Sequence, residues 1–246
     1  MKPRSSALDR KTAMRLAGTE YARCAALLQS LEPHEWEAAT CCSAWDVRQM
    51  AAHMLGMVEM AASIREGGRQ RRAATVDGGF DLDRLTALQV DERRERSGPE
   101  IAQRFAKRHP KACAGRRRTP GFIRRRIFEA TVVNGAPEPW RLGYLLDVIL
   151  TRDPWMHRTD LCVALGRTPE LTPEHDGLLV ADVVEEWAER HGKDFGLHLS
   201  GPAGGTWQVG SNGPQLELDA VEFCRVVSKR PGSVSLAELM GTEVPF

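Results

Sequence analysis

The chain has 246 residues, of which 42% are hydrophobic and 27% are charged, and its formal net charge is +1. This length allows one large or two modest domains with a buried core, and the composition is near the average of soluble globular proteins. There is no apolar run long enough to span a bilayer, and the first ten residues lack the apolar segment of a signal peptide. We therefore expect a cytoplasmic protein with no membrane partner.

Apolar side chains that recur every three or four residues predict two N-terminal helices. The first is predicted from about Asp9 to Leu31, and the second from Ser43, as its N-cap, to about Gly67. Asp46 then falls in the first turn of the second helix, where a negative charge opposes the helix dipole. His53 lies on the border of the apolar stripe of this helix, where a histidine by itself is more often a satisfied boundary residue than a ligand.

Two adjacent cysteines, Cys41 and Cys42, precede the second helix and raise the question of a redox or metal role. The six cysteines of the chain are scattered and form no CxxC pair, so a disulfide framework is not expected. Adjacent side chains diverge and make a poor chelate, and a disulfide between them would close a strained ring. We interpret these cysteines as turn and core thiols.

The middle of the chain is strongly basic. Between Arg65 and Arg126 there are 18 Lys and Arg against 8 Asp and Glu. An anion-binding or nucleic-acid surface would explain this surplus, but the segment has no Trp or Tyr and only three Phe, whereas single-strand binders usually interleave aromatic residues with their arginines to stack bases. We favour a solvated face and do not expect nucleic acid as a partner. The segments LDRLTALQVDERRERS and PEIAQRFAKRH are predicted as exposed helices, and GRRRTPGF and NGAPEPW as loops.

In the C-terminal third the spacing of apolar residues changes from a helical pattern to an alternating one. A further helix is predicted over Leu142–Gly166, and alternating apolar residues in FGLHLSGPAGGTWQVGSNGPQLELD predict three short strands. The GPAGG stretch lies between strands and lacks the Lys-Ser/Thr of a phosphate loop, so we interpret it as a hairpin turn. Asp219 and Glu222 resemble a capping box at the start of a last helix. We predict a mainly α protein, with a helical bundle over residues 1–167 and a small α+β domain over residues 168–246.

One predicted helix carries ionisable groups on its apolar stripe. The stripe consists of Leu146, Leu150, Asp153, His157, Leu161 and Ala164. A buried carboxylate needs a partner or a cation, and residues four apart on a helix are neighbours. Imidazole nitrogen and carboxylate oxygen are ligands of Zn²⁺ and similar ions, and His53 from another helix would supply a third ligand and leave one position open.

Two alternatives to a metal site remain open from the residues alone. Asp153 followed by Pro154 resembles an N-cap with proline at the first helical position, in which case Asp153 only caps a helix. Asp153 would otherwise form an internal ion pair with His157 or Arg152, with no metal bound.

Three stretches of the chain resemble the mycothiol-dependent maleylpyruvate isomerase family, whose bundle belongs to a wider DinB/YfiT-like group of metalloenzymes. They are CSAWDVRQMAAHM, TRDPWMHRTDLCVALGR, and LSGPAGGTWQVG together with DAVEFCRVVSKR. The resemblance implies a DinB-like four-helix bundle followed by a small α+β C-terminal domain, with His53, Asp153 and His157 as metal ligands. The characterised isomerase has glutamate at the acidic position, so Asp153 is a shorter ligand.

The resemblance also implies cofactors and an activity. The cofactors are a divalent metal, with zinc favoured over nickel, and mycothiol, a small thiol that takes the open metal position. In the isomerase, the thiolate adds to the cis double bond of maleylpyruvate, the bond rotates, and elimination gives fumarylpyruvate. Other members are thought to transfer the thiol to different electrophiles. Arg225 and Arg230 are candidates for a clamp on an anionic substrate, with surface solvation as the alternative for either.

The expected function is therefore a metal-dependent isomerase or thiol transferase that acts with a low-molecular-weight thiol on a small electrophile. The alternative is a non-catalytic, metal-stabilised binding or regulatory protein that uses the basic surface. The sequence leaves the substrate open, and it leaves open whether the protein is a monomer or a homodimer.

Overall fold

The computed structural model describes residues 3–77, 79–230 and 241–246, with the side chains of residues 128–131 excepted. The chain packs as two compact units, the first comprising Met1–Val132 and Pro137–Arg167 and the second Val133–Ala136 and Thr168–Phe246. Most of the described chain is helical and the sheets are small, which confirms the predicted mainly α fold. We keep residues 1–167 and 168–246 as a proposal for independently folding domains.

Among the described residues, the first unit is built from eight helices and two small sheets. Its helices are α1 (Arg10–Gln29), α2 (Val47–Ala62), α3 (Ile64–Ala73), α4 (Leu82–Asp91), α5 (Gly98–Arg118), α6 (Gly121–Arg124), α7 (Leu142–Tyr144) and α8 (Leu150–Ala164). A 3-10 turn, Pro33–Glu37, precedes α2, and a π-helical turn, Leu145–Ile149, joins α7 to α8. The strands are β1 (Thr75–Val76), β2 (Gly79–Phe80), β3 (Ile127–Val133) and β4 (Ala136–Arg141), with β1 paired to β2 and β3 to β4.

Four of these helices form a bundle. Both α5 and α8 pack against α1 and α2, and the buried apolar side chains between them include Tyr21, Met54, Phe105 and Leu161. The rings of Tyr21 and Phe105 meet edge to face with centroids 6.2 Å apart. In the described part of the chain, no helix is long and apolar enough to cross a bilayer.

The second helix of the sequence differs from its prediction at both ends. Its N-cap is Asp46 and not Ser43, because the Asp46 carboxylate accepts the amide of Gln49 at 2.6 Å while the Gln49 side chain accepts the amide of Asp46 at 2.9 Å. It also ends at Ala62, where Ser63 turns extended and caps the separate helix α3. The segment predicted as one helix therefore forms two helices, α2 and α3.

The prediction of an exposed, solvated basic face was wrong for part of the middle segment. Helix α5 buries Ile101 and Phe105 in the bundle core, and it covers the first half of the predicted GRRRTPGF loop, ending at Arg118. Arg116 is 1% exposed and Arg124 is 9% exposed, because each donates to buried oxygen atoms. The predicted loop NGAPEPW is instead the turn and second strand of the β3–β4 sheet.

The described part of the second unit contains a π-helical turn, two helices and one sheet. Its elements are the turn Pro173–Gly177, α9 (Leu178–His191), β5 (Phe195–Ser200), β6 (Gly205–Val209), β7 (Gln215–Asp219) and α10 (Ala220–Val227). Strand β5 is central, antiparallel to β6 and parallel to β7, so the three predicted strands are confirmed.

The GPAGG stretch is a hairpin turn, as predicted. Gly201 has a φ of +86°, and a Cβ atom on Gly204 would lie 2.0 Å from the carbonyl oxygen of Leu199. The start of α10 is capped by Asp219, whose carboxylate accepts the amides of Val221 and Glu222. The predicted glycine turn therefore serves strand geometry rather than phosphate binding.

Candidate metal centre

Helix α8, which carries two of the predicted ligands, begins with an irregular stretch of backbone. In the π-helical turn before it, the amide of Leu150 donates to the carbonyl of Leu145, which deprives the Leu146 carbonyl of its usual α-helical donor. Pro154 has no N–H group, so the carbonyl of Leu150 also lacks its donor. Two carbonyl groups, one partly buried at Leu146 and one buried at Leu150, therefore need a partner from outside the helix.

Arg116 of α5 satisfies both carbonyl groups. Its Nε donates to the Leu146 oxygen at 2.8 Å and its Nη1 to the Leu150 oxygen at 2.7 Å. Its Cζ atom also lies 5.3 Å from the ring centroid of Tyr21. Helix α8 thus continues through Pro154 with Asp153 inside it, and the alternative in which Asp153 is an N-cap was wrong.

The three predicted ligands converge between α2 and α8. Asp153 Oδ1 lies 3.4 Å from His53 Nε2 and 3.4 Å from His157 Nε2, and one ligand atom from each residue lies within 4.8 Å of the others. A charge-assisted hydrogen bond between such groups is about 2.7–2.9 Å long. The ligand atoms of tetrahedral zinc are about 3.3–3.4 Å apart when the bonds are 2.0–2.1 Å long. The two 3.4 Å distances therefore suit a shared cation, and they also lie within the range of an ion pair.

The electrostatics of the site favour an anionic ligand at Asp153. Burial raises the pKa of this carboxyl, but the charge and hydrogen bond of His157, and then those of His53, outweigh burial and hold the pKa well below its ordinary value. Since His53 and His157 are almost fully buried, two imidazoles and one carboxylate offer a compact donor set suited to a divalent metal.

A hydrogen-bonded chain of side chains orients His53. Its Nδ1 lies 2.8 Å from Gln89 Oε1, and Gln89 Nε2 donates to Gln70 Oε1 at 2.9 Å. Gln70 Nε2 in turn donates to Glu66 Oε1 at 2.9 Å. From His53 on α2 the chain passes to Gln89 on α4 and then to Gln70 and Glu66 on α3, and none of these three partners is a candidate metal ligand.

The carboxylate at the end of this chain fixes the tautomer of His53. Arg69 lowers the pKa of Glu66 to about 2 against the opposing effect of burial, so Glu66 is ionised and can only accept. Each amide then donates towards Glu66 and presents its oxygen towards His53, whose Nδ1 must donate. When His53 is neutral, the lone pair of its Nε2 therefore faces Asp153, as a metal ligand requires.

The loop before α2 lies against the same centre. The Trp45 ring stacks on His53 with centroids 5.2 Å apart, and it lies 6.4 Å from the His157 ring. Asp160 Oδ2 is 3.6 Å from His157 Nδ1. Trp45, which the sequence places only at a helix entrance, therefore covers the imidazoles directly.

The cysteines are free thiols. Cys42, then burial and then Asp160 raise the pKa of Cys41 well above its ordinary value, so it is a neutral thiol near pH 7. Within the described ranges no cysteine belongs to a candidate metal-binding group. These observations agree with the interpretation of the cysteines as thiols of turns and of the core.

The two arginines predicted to clamp a substrate belong to the second unit. Arg225 lies on α10, is 8% exposed and has its Nε 3.5 Å from Glu222 Oε2. Arg230 follows this helix and donates its backbone amide to the Arg225 carbonyl at 2.9 Å. Their role towards a substrate stays a prediction.

We expect Gln89→Leu to lower metal affinity by about ten- to a hundredfold, since partners that orient a ligating histidine commonly contribute this much. Gly56→Ala should also lower metal affinity, because a Cβ at this position would lie 2.5 Å from Gln89 Cγ and would displace the Gln89 side chain. Gly18→Ala on α1 is the control, since no atom lies within 4 Å of the added methyl. Competition with a chromophoric chelator measures all three, and wild-type affinity in Gln89→Leu would contradict the proposed orientation.

The depressed pKa of Glu66 predicts a pH-dependent stability. The pKa of Glu66 falls from 4.5 to about 2 on folding. Its contribution to the free energy of unfolding is therefore fully present at pH values above the unfolded pKa, and it is lost as the pH falls from 4.5 towards 2. The urea midpoint of Glu66→Gln should therefore fall less steeply than that of the wild type between about pH 5 and pH 3. Glu217→Gln, which removes an exposed carboxylate from β7, is the control and should keep the wild-type slope. Equal slopes in Glu66→Gln and the wild type would contradict the prediction.

A helical bundle in which two imidazoles and one carboxylate converge from facing helices defines a protein with a candidate metal centre. The family model described as the mycothiol maleylpyruvate isomerase N-terminal domain matches residues 17–162, and the chain belongs to this family. The resemblance found in the sequence is thereby confirmed.

Two solved structures are similar to the whole chain. One is a crystal structure of the mycothiol-dependent maleylpyruvate isomerase, with a TM-score of 0.59 and 13% identity over 92% of this chain and 91% of that chain. The other is a histidine-to-alanine mutant of the mycothiol-dependent maleylpyruvate isomerase, with a TM-score of 0.59 and 11% identity over 91% of this chain and 90% of that chain. No curated protein matches the sequence. At these identities the likeness establishes the fold.

Proposed function

We propose that the protein is a metal-dependent, mycothiol-using isomerase or thiol transferase that acts on a small electrophile. The observation that carries this proposal is the convergence of His53, Asp153 and His157, whose ligand atoms lie within 4.8 Å of one another and whose carboxylate is 3.4 Å from each imidazole. Zinc is the favoured metal and nickel the alternative. Three protein ligands leave a fourth position for a thiol.

A divalent cation bound here would lower the pKa of a coordinated thiol, which makes a thiolate available near neutral pH. The chain itself supplies the surroundings for this chemistry. Gln89 holds the His53 imidazole in one tautomer, the Asp153 carboxylate balances positive charge, and the Trp45 ring limits access of water to His53. These contacts pre-organise the donor set before any thiol arrives.

The substrate class in this proposal is a small electrophile, such as a maleyl compound or an epoxide. An anionic substrate would be held by Arg225 and Arg230, whose guanidinium groups suit a carboxylate. The shorter Asp153 ligand, followed directly by Pro154, distinguishes this chain from the isomerase with glutamate at that position. We therefore propose the reaction class and leave the choice of electrophile to measurement.

The test is turnover by the metal-loaded protein with mycothiol and a panel of maleyl compounds and epoxides, followed by chromatography and mass spectrometry. We expect product that requires both the metal and mycothiol, with glutathione as the control thiol. A metal-loaded protein that binds no mycothiol and converts no electrophile would overturn the enzymatic proposal. That result would favour a metal-stabilised binding or regulatory protein.

A further inference from the structure

A cavity of about 500 Å³ opens in the first unit, among the end of α2, α3, α5 and the segment that follows α4. None of the three candidate metal ligands lines it. Its charged lining consists of five arginines and three glutamates: Arg69, Arg93, Arg96, Arg104, Arg108, Glu59, Glu66 and Glu92. The cavity therefore has two more guanidinium groups than carboxylates.

Each of the three carboxylates is already engaged. Glu59 pairs with Arg93 and Arg104. Glu66 and Glu92 both pair with Arg69, each at 2.6 Å. Since every glutamate is neutralised by an arginine of the same wall, the carboxylates do not set the sign of the charge that the cavity presents.

The other two arginines supply the surplus charge. Arg96 and Arg108 are half-buried, and neither forms an ion pair with any residue that the structure describes. Arg96 acts on Glu100 only as a weak longer-range charge. Guanidinium groups held in a concave, partly desolvated site attract anions more strongly than the same groups on a flat surface.

Arg93, another arginine of the cavity lining, is only 4% exposed and has one donor that no described residue satisfies. Its Nε is buried and has no hydrogen-bond partner among the described residues, although its Nη1 donates to the Gln89 carbonyl at 2.7 Å. Buried donors are almost always satisfied, so one without a protein partner calls for an acceptor from elsewhere.

The geometry points to a binding site, in the cavity lined by Arg96 and Arg108, for a small multiply charged anion of the phosphate or polycarboxylate class. Two guanidinium forks without carboxylate partners match the oxygen atoms of such a ligand. The predominantly charged lining favours a compact polar anion over a hydrophobic ligand. None of the three candidate metal ligands lines this cavity, although Glu66, at the end of the chain that orients His53, does. The arginines proposed to bind the anion, Arg96 and Arg108, take no part in that chain, so the proposal does not rest on the proposed function.

The test is isothermal titration calorimetry of the full chain with inorganic phosphate and, separately, with citrate at fixed low ionic strength. We expect saturable binding of at least one of these anions at one site per chain, and the tighter of the two identifies the class. The variant Arg96→Ala/Arg108→Ala should weaken binding by about a hundredfold, at about tenfold for each charge-assisted hydrogen bond that is removed. Circular dichroism confirms that this variant folds.

Arg117→Ala/Arg118→Ala is the matched control. It removes the same two charges from exposed positions on α5 outside the cavity lining, and it should leave the affinity at the wild-type value. The absence of saturable binding of either anion would overturn the proposal. Equal affinity in the wild type and in Arg96→Ala/Arg108→Ala would overturn it as well.

Discussion

Replacing His157 or Asp153 by alanine is expected to reduce bound metal from about one zinc or nickel ion per chain to a small fraction. Either change removes one of three converging donors. His53 and the one remaining ligand would then bind the metal only weakly, through two protein ligands. Elemental analysis by mass spectrometry of protein purified without chelators measures the occupancy. Removing a ligand should also leave the fold of α8 intact, as circular dichroism can verify.

His198→Ala is a matched control for these variants, since it removes an exposed imidazole from β5 that lies 3.1 Å from Thr206 Oγ1. It should retain the metal content of the wild type. Asp153→Glu should also retain metal, because it keeps the carboxylate and lengthens the side chain by only one methylene group. Full occupancy in both alanine variants would refute the assignment of the site.

Arg116→Met is expected to lower the free energy of unfolding by about 2–4 kcal/mol, since a buried acceptor left without its partner costs about 1–3 kcal/mol. The substitution leaves the carbonyl groups of Leu146 and Leu150 without donors and removes the cation–π interaction with Tyr21. Urea unfolding followed by circular dichroism measures the change. Arg118→Met, at an exposed position of the same helix, should have an effect within about 0.5 kcal/mol.

Pro154→Ala provides the second variant of a double-mutant cycle. It restores an amide that can donate to the Leu150 carbonyl, so it should recover part of the loss caused by Arg116→Met. We expect a coupling of about 0.5–3 kcal/mol between the two positions. Additive effects would show that Arg116 does not compensate for the proline.

The candidate metal ligands of α8 could be predicted to lie together because their relation is local. Asp153 and His157 are four residues apart, so any helix through them brings the side chains together. The facing ligand, His53, was identified from the resemblance and from its place beside an apolar stripe. Its convergence with the others depends on how α2 packs against α8, which periodicity alone does not specify.

Gln89 and Arg116 were missed for a different reason. Both act on groups far away in the chain, Gln89 on His53 and Arg116 on Leu146 and Leu150. A glutamine in a helix carries no local signal of such a role. An arginine within a triplet is more often solvated, so the unmet carbonyl groups that justify its burial are visible only in the folded chain.

The prediction for α5 was wrong because its charged residues dominate its composition. Ile101 and Phe105 are separated by one helical turn and form a narrow apolar face, which suffices to place the helix in the core. The β3–β4 turn did carry a local signal, since Asn134-Gly135 is a dipeptide typical of hairpin turns, and the proline-rich segment that follows concealed it.

The π-helical turn holds one residue more than the α-helical turn that it replaces. A one-residue deletion within Leu145–Ile149 would therefore convert this stretch to regular α-helix. The carbonyl at Leu146 would regain a helical donor, and Arg116 would serve one carbonyl group, at Leu150, where it now serves two. The number of residues in this turn thus decides how fully the buried guanidinium group is matched, whatever side chains the turn carries.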